Sequence, residues 1–291
     1  MKTEPQTVKF VAAALIAVFL WGSAFPAVRY LFDYYSAESI MLLRFLVASL
    51  TLAVVAVIKK IKLPQKEDIL MFVLTGFFGI FLYMWLFNTG TVMVASGVSS
   101  FLISSSPVYA TLLSVLILKE KVKLLCWVGI LVSLCGLILI TLSQMNGFVM
   151  NRGVALLLAA SFSSSLFIIF QRRLLRKYTP FEATAYPIFF GTLPMLVFLP
   201  ELLRDMPEAS LAANLITVYL GIFPAAIAYF YWGYALSKAK NTANATTFLY
   251  LIPFLATLIA FLWLNETVSS FAFLGGVIII LGMFISNRLA K

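Results

Sequence analysis

Apolar residues run along this chain in long blocks separated by short polar punctuation. They lie near positions 8–31, 37–58, 68–88, 95–118, 124–143, 153–172, 181–200, 213–236, 244–264 and 268–287. Each is close to the roughly twenty residues that cross a hydrocarbon layer of about 30 Å at about 1.5 Å per residue. A transmembrane β-barrel would need segments of about ten residues with alternating polarity, and no such alternation runs through the sequence. The pattern predicts an all-α integral membrane protein with about ten transmembrane helices joined by short loops, leaving almost nothing for a soluble domain. The first block follows Lys2 and contains Lys9, a basic start like that of a secretory signal, but its apolar run is too long for a signal core and lacks a small-x-small cleavage site. It reads as a retained first helix.

Composition strengthens this reading. Hydrophobic residues make up 63% of the 291 positions and charged residues 11%, too few to cover a water-facing surface. The cations gather at alternate block ends: Lys2 and Lys9; Lys59, Lys60, Lys62 and Lys66; Lys119, Lys121 and Lys123; Arg172, Arg173, Arg176 and Lys177; Lys238 and Lys240; Arg288 and Lys291. By the positive-inside rule those ends and both termini are cytoplasmic, with the plasma membrane as the expected location. The net charge of +10 is thereby explained without nucleic acid. Cys126 and Cys135, nine positions apart on one block, would be separated by about 13 Å along a helix, too far for a disulfide. The chain has no histidine, which removes most zinc and haem sites and the commonest catalytic base. No cofactor and no enzymatic activity are expected.

The sequence repeats internally. At a shift of 146 residues, Tyr83 to about Ile140 overlies Tyr229 to about Ser286 without a gap. Tyr83 meets Tyr229, Pro107 meets Pro253, Glu120 meets Glu266, Val122 meets Val268, and Gly129 and Gly136 meet Gly275 and Gly282. The halves 1–147 and 148–291 would then each hold five spans, and an odd number forces the second copy to cross the membrane in the opposite sense. Inverted repeats are characteristic of secondary transporters, in which similar halves exchange conformations around one central site. The matched glycines would let the helices joining the halves pack closely.

Motifs add a family resemblance. Trp21-Gly22-Ser23-Ala24-Phe25, Arg44-Phe45, and the repeated proline, thirteen residues, then glutamate resemble the EamA-type drug/metabolite transporter superfamily across essentially the whole chain. The resemblance implies a five-plus-five inverted-repeat fold and export or exchange of small metabolites, with amino acids a common class. The second copy departs at Trp21, where a shift of 143 places Ser164. A nucleotide-sugar or sugar-phosphate exchanger, or an importer, is the alternative within transporters. No Gly-x-x-x-x-Gly-Lys-Ser/Thr loop is present for nucleotide-driven pumping.

Candidate substrate contacts are Trp21, Arg44, Tyr83, Ser104, Tyr186, Tyr229, Trp232 and Tyr250. Arg44 falls about two turns inside the second span, where a cation is costly unless it faces protein or water. It reads as a counter-ion for a substrate carboxylate, or as a structural arginine capping carbonyls or pairing with Glu38. The aromatic residues read as cavity lining or as interfacial anchors. Serine clusters at Ser99, Ser100 and Ser104–Ser106, and at Ser161 and Ser163–Ser165, fit either binding or close helix packing. Pro107 and Pro253, within predicted spans, read as hinges, since proline removes a helical hydrogen bond. Glu38, Glu120, Glu182 and Glu266 all map near helix ends; Glu120 and Glu266 read as caps of the helices that follow them, while Glu38 or Glu182 could reach an aqueous cavity. The expected partners are a small-molecule substrate and membrane lipid, with a proton left open as coupling ion and either a monomer or a homodimer as the working unit.

Overall fold

The computed structural model describes residues 5–93, 102–142, 152–264 and 270–286. Lys2, Ser99, Ser100, Glu266, Val268, Arg288 and Lys291 lie outside the described residues. The helices are α1 (Pro5–Leu31), α2 (Ala37–Lys59), α3 (Lys66–Thr91), α4 (Ser106–Ile117), α5 (Leu124–Leu142), α6 (Arg152–Leu174), α7 (Glu182–Asp205), α8 (Leu211–Lys238), α9 (Thr242–Trp263) and α10 (Ser270–Phe284). No strand occurs among the described residues. α1, α2, α3, α6, α7, α8 and α9 are each long and apolar enough to cross a membrane, whereas α4, α5 and α10 contribute shorter apolar stretches.

Local sequence sets the helix starts. Ser36, Ser210 and Asn241 accept hydrogen bonds from the backbone N–H groups of Ser39, Ala213 and Asn244, satisfying donors that a helix N-terminus leaves open. Thr179 and Glu182 bond reciprocally at the start of α7, so the Glu182 carboxylate is occupied as a cap. The bundle is apolar outside as well as inside. On α2, Leu42, Phe45, Ala48 and Leu52 are buried while Leu50, Val54 and Val57 are exposed, as suits a helix between protein and lipid.

α5 and α10 pack antiparallel at very short range. A Cβ at Gly129 would lie 2.6 Å from the Gly282 carbonyl oxygen, and one at Gly136 would lie 2.5 Å from that of Gly275. Ser133 Oγ donates to the Ile279 carbonyl between these contacts. A shift of 146 turns the Gly129–Gly282 contact into the Gly275–Gly136 contact, and it carries Ser133 onto Ile279. The remaining packing exchanges likewise: α1 lies against the second part of α8 and against α9, and α6 lies against the second part of α3 and against α4.

Irregular turns recur at matched positions. α3 contains a π-helical turn at Phe77–Leu82 and α8 one at Gly221–Ile227. A turn at Ser104 and Ser105 precedes α4, and α9 narrows to a 3-10 turn at Thr247–Tyr250. Pro107 therefore stands in the first turn of α4, whereas the apolar pattern predicts it in mid-helix; proline fits there because a first-turn N–H has no helical partner. Pro253 stands correspondingly just after the 3-10 turn.

Candidate functional site

Small side chains and irregular backbone leave a cavity of about 880 Å³ between α1, α2, α3, α6, α8 and α9. Its lining reaches Phe32 beyond the end of α1, Ala37 at the start of α2 and Val92 beyond the end of α3, so the cavity opens at the end of the bundle opposite the lysine-rich loops. Trp21, Arg44, Tyr83, Ser104, Tyr229, Trp232 and Pro253 line it.

The floor is an aromatic box. The Trp21 ring meets Tyr229 at 5.2 Å and Trp232 at 5.5 Å between centroids, and Phe167 closes on Tyr229 at 5.7 Å. Tyr229 and Trp232, three positions apart on α8, share one face, as their spacing predicts. Phe45 joins the box through Tyr229 and also lies under the Arg44 guanidinium, 5.5 Å from its central carbon. Arg44 is 7% exposed and makes no hydrogen bond or ion pair with a described residue; its Nε has no partner, and neither does Nε1 of Trp232. The expected alternative pairing of Arg44 with Glu38 is not formed.

Two predicted contacts lie elsewhere. Tyr186 sits at the lysine-rich end, where its hydroxyl donates to the Lys62 carbonyl and its ring packs 5.2 Å from Phe72. Tyr250 is fully buried within the 3-10 turn of α9 and is absent from the cavity wall. Tyr186 lies on α7, which contributes no residue to the wall, whereas Tyr250 turns away from it although Leu249 and Ile252 beside it line the cavity. Pro107 is also off the wall.

The serines act chiefly on backbone. Ser161 Oγ donates to the Ile103 carbonyl, four positions before Pro107, which has no N–H to offer it. Ser165 donates to the Ser106 carbonyl, and Gln171 donates in the same manner to the Ala183 carbonyl, four positions before Pro187. At the π turns, Ser163 Oγ donates to the Phe78 carbonyl at 2.7 Å and Trp21 Nε1 donates to the Pro224 carbonyl at 3.0 Å. Positions 78 and 224 are related by the 146-residue shift, so one polar group from the facing helix serves each turn. Of the serines, Ser104 and Ser164 border the cavity together with Ser106.

The opposite end is clasped. Arg172 Nε lies 3.3 Å from Glu120 Oε1, and its two terminal nitrogens donate to the Leu236 and Ala239 carbonyls. Glu120 Oε2 accepts from the Thr242 backbone N–H at 2.6 Å. Glu120 thus serves the start of α9, whereas the sequence predicts a cap for the helix that follows it. Three stretches distant in sequence, at Glu120, Arg172 and 236–242, are joined there, a connection that spacing does not reveal. No group of three or more histidine, cysteine or carboxylate side chains suited to a metal occurs among the described residues.

A helical membrane protein with a single-ended central cavity and an unpaired buried cation in its wall is the class that this geometry defines. The chain belongs to the EamA-like transporter family, which matches residues 8–142 and again 151–288. It is 36% identical over 278 residues to the uncharacterized transporter YdfC of Bacillus subtilis, covering 96% of this chain and 90% of that one. It is 34% identical over 280 residues to a probable terminal-alkyne amino-acid exporter of Streptantibioticus cattleyicolor, covering 96% and 94%. A solved crystal structure superposes with a TM-score of 0.79 over 97% of both chains at 17% identity, a likeness of fold. The chain is accordingly a multi-pass membrane transporter.

Proposed function

We propose that this transporter is a secondary carrier that exports small metabolites, amino acids or related compounds, across the plasma membrane by alternating access. The observation that carries the reading is the buried, unpartnered Arg44 beside an aromatic box in a cavity open at one end. A low-dielectric setting makes an unpaired cation expensive, and a ligand carboxylate would relieve that cost through a charge-assisted, two-pronged hydrogen bond. Trp21, Tyr83, Ser104, Tyr229 and Trp232 complete the proposed contact set.

The proposed architecture is ten transmembrane helices in two inverted five-helix repeats, 1–147 and 148–291, with both termini cytoplasmic. Exchange of the Gly129–Gly282 and Gly136–Gly275 contacts under the repeat shift supports a pseudo-two-fold axis between the antiparallel α5 and α10. With lysine-rich loops inside, the cavity faces outward, and the Glu120–Arg172 clasp holds the cytoplasmic end shut. Pro107 and Pro253, each beside an irregular turn, are the proposed hinges.

The reading is tested by comparing extracellular and intracellular metabolites in cells with and without induced expression, with Trp232→Ala as control. The expected result is one amino acid or related compound accumulating outside only with the wild-type protein, at least tenfold above the control, with expression of the variant maintained. Depletion of a compound from the medium instead would make the carrier an importer. Equal flux through Trp232→Ala and wild type in correctly folded protein would remove that residue from the site.

A further inference from the structure

Charge within the cavity is one-sided. Arg44 and Trp232, 7% and 1% exposed, each bring a buried donor without a partner to its wall. No aspartate or glutamate lines the cavity among the described residues. The nearby carboxylates are placed otherwise: Asp205 accepts from the Ser36 N–H and the Ser39 hydroxyl, Glu38 occupies the first turn of α2 off the cavity wall, and Asp33 lies off the wall in the exposed turn after α1. A ligand carboxylate therefore finds a guanidinium fork that makes no hydrogen bond to a described residue. A ligand ammonium finds no anion there and meets a like charge. Hydrocarbon, in contrast, has Trp21, Phe167 and Tyr229 to pack against, and about 880 Å³ is ample for a ligand of one ring and a short chain.

We propose that the site selects carboxylate anions with an apolar body, reading the carboxylate through Arg44 and the hydrocarbon through the aromatic box, and that it does not read an amino group. This rests on the cavity being the transport site and narrows the cargo to compounds whose carboxylate is not balanced by an ammonium: deaminated, N-acylated or oxo-acid relatives of apolar amino acids bind better than the zwitterions themselves.

Three ligands with the same ring and chain separate the possibilities: 3-phenylpropionate, phenylalanine and phenethylamine. They are titrated into the purified full chain in lipid nanodiscs, with binding read by calorimetry and by tryptophan fluorescence. The expected order is 3-phenylpropionate tightest, phenylalanine at least tenfold weaker, and phenethylamine without saturable binding. Arg44→Gln should lower the affinity for 3-phenylpropionate at least tenfold and erase its advantage over phenylalanine, while Arg44→Lys retains part of it; the wild-type series decides the matter should either variant fold poorly. Phenylalanine or phenethylamine binding as tightly as the anion, or no saturable binding of 3-phenylpropionate, overturns the proposal. Failure of the carrier reading looks different: it appears as absence of any expression-dependent flux. Export of a zwitterion with no anion preference would sustain the carrier while removing the charge selectivity.

Discussion

Trp21 serves two neighbours at once. Its Nε1 donates to the Pro224 carbonyl in the π turn of α8, while its ring faces Tyr229 and Trp232. Trp21→Phe keeps a ring in the box and deletes the donor, leaving a carbonyl inside the bundle short of one partner. The net loss is about 1 kcal/mol, so the thermal midpoint of the purified protein should fall by roughly 2 °C. A midpoint equal to wild type would show that the π turn does not depend on the indole. Arg44 was legible in sequence because a charge inside an apolar block is rare, Tyr229 because the repeat matches it to Tyr83, and Trp21 because it opens the Trp-Gly-Ser-Ala-Phe run. Tyr186 and Tyr250, also aromatic residues inside apolar blocks, carry no sequence mark of lying off the wall. What separates them is the position of α7 outside the cavity wall and the rotation of α9 about its own axis, both fixed by packing against other helices. The second duty of Trp21 was equally hidden, since its acceptor lies 203 positions away.

Among the helices, α5 and α10 approach each other closely along their length, and their sequences show why. Gly129, Gly136, Gly275 and Gly282 remove the side chains that would hold the two backbones apart. Gly129→Leu would drive a branched side chain into the Gly282 carbonyl and the Ser286 backbone, where neither wall is a flexible side chain that can retreat. It should abolish recovery of monodisperse protein, whereas Leu131→Ala, at an outward position 59% exposed on the same helix, should purify normally. Recovery of Gly129→Leu with an unchanged midpoint would contradict the close approach. The apolar blocks located most helices within a few residues. The π turns and the interruption before α4 escaped, because an extra residue per turn leaves apolar periodicity almost unchanged over so short a run. Proline marked the right neighbourhood without showing that Pro107 begins a helix.

At the scale of the whole molecule, the 146-residue shift was the sequence feature that reached furthest, because it relates contacts as well as residues. The proposed orientation rests on the cations, whereas the Glu120–Arg172 clasp required the fold, joining a loop before α5 to the ends of α6 and α8 and the start of α9. With the cavity open opposite that clasp, alternating access requires the clasp to release when the cavity opens to the other side. Glu120→Gln removes one charge of the pair and should shift the population towards that second state. The most direct measurement places a single cysteine at Ser164 on the cavity wall of an otherwise cysteine-free protein. A membrane-impermeant thiol reagent is then added to oriented proteoliposomes from one face or the other. Modification should be rapid from the open face and slow from the lysine-rich face, and Glu120→Gln should raise the slow rate at least threefold while lowering the fast one. Equal rates from both faces would describe a pore, and a slow rate that Glu120→Gln leaves unchanged would contradict the clasp as the inner gate.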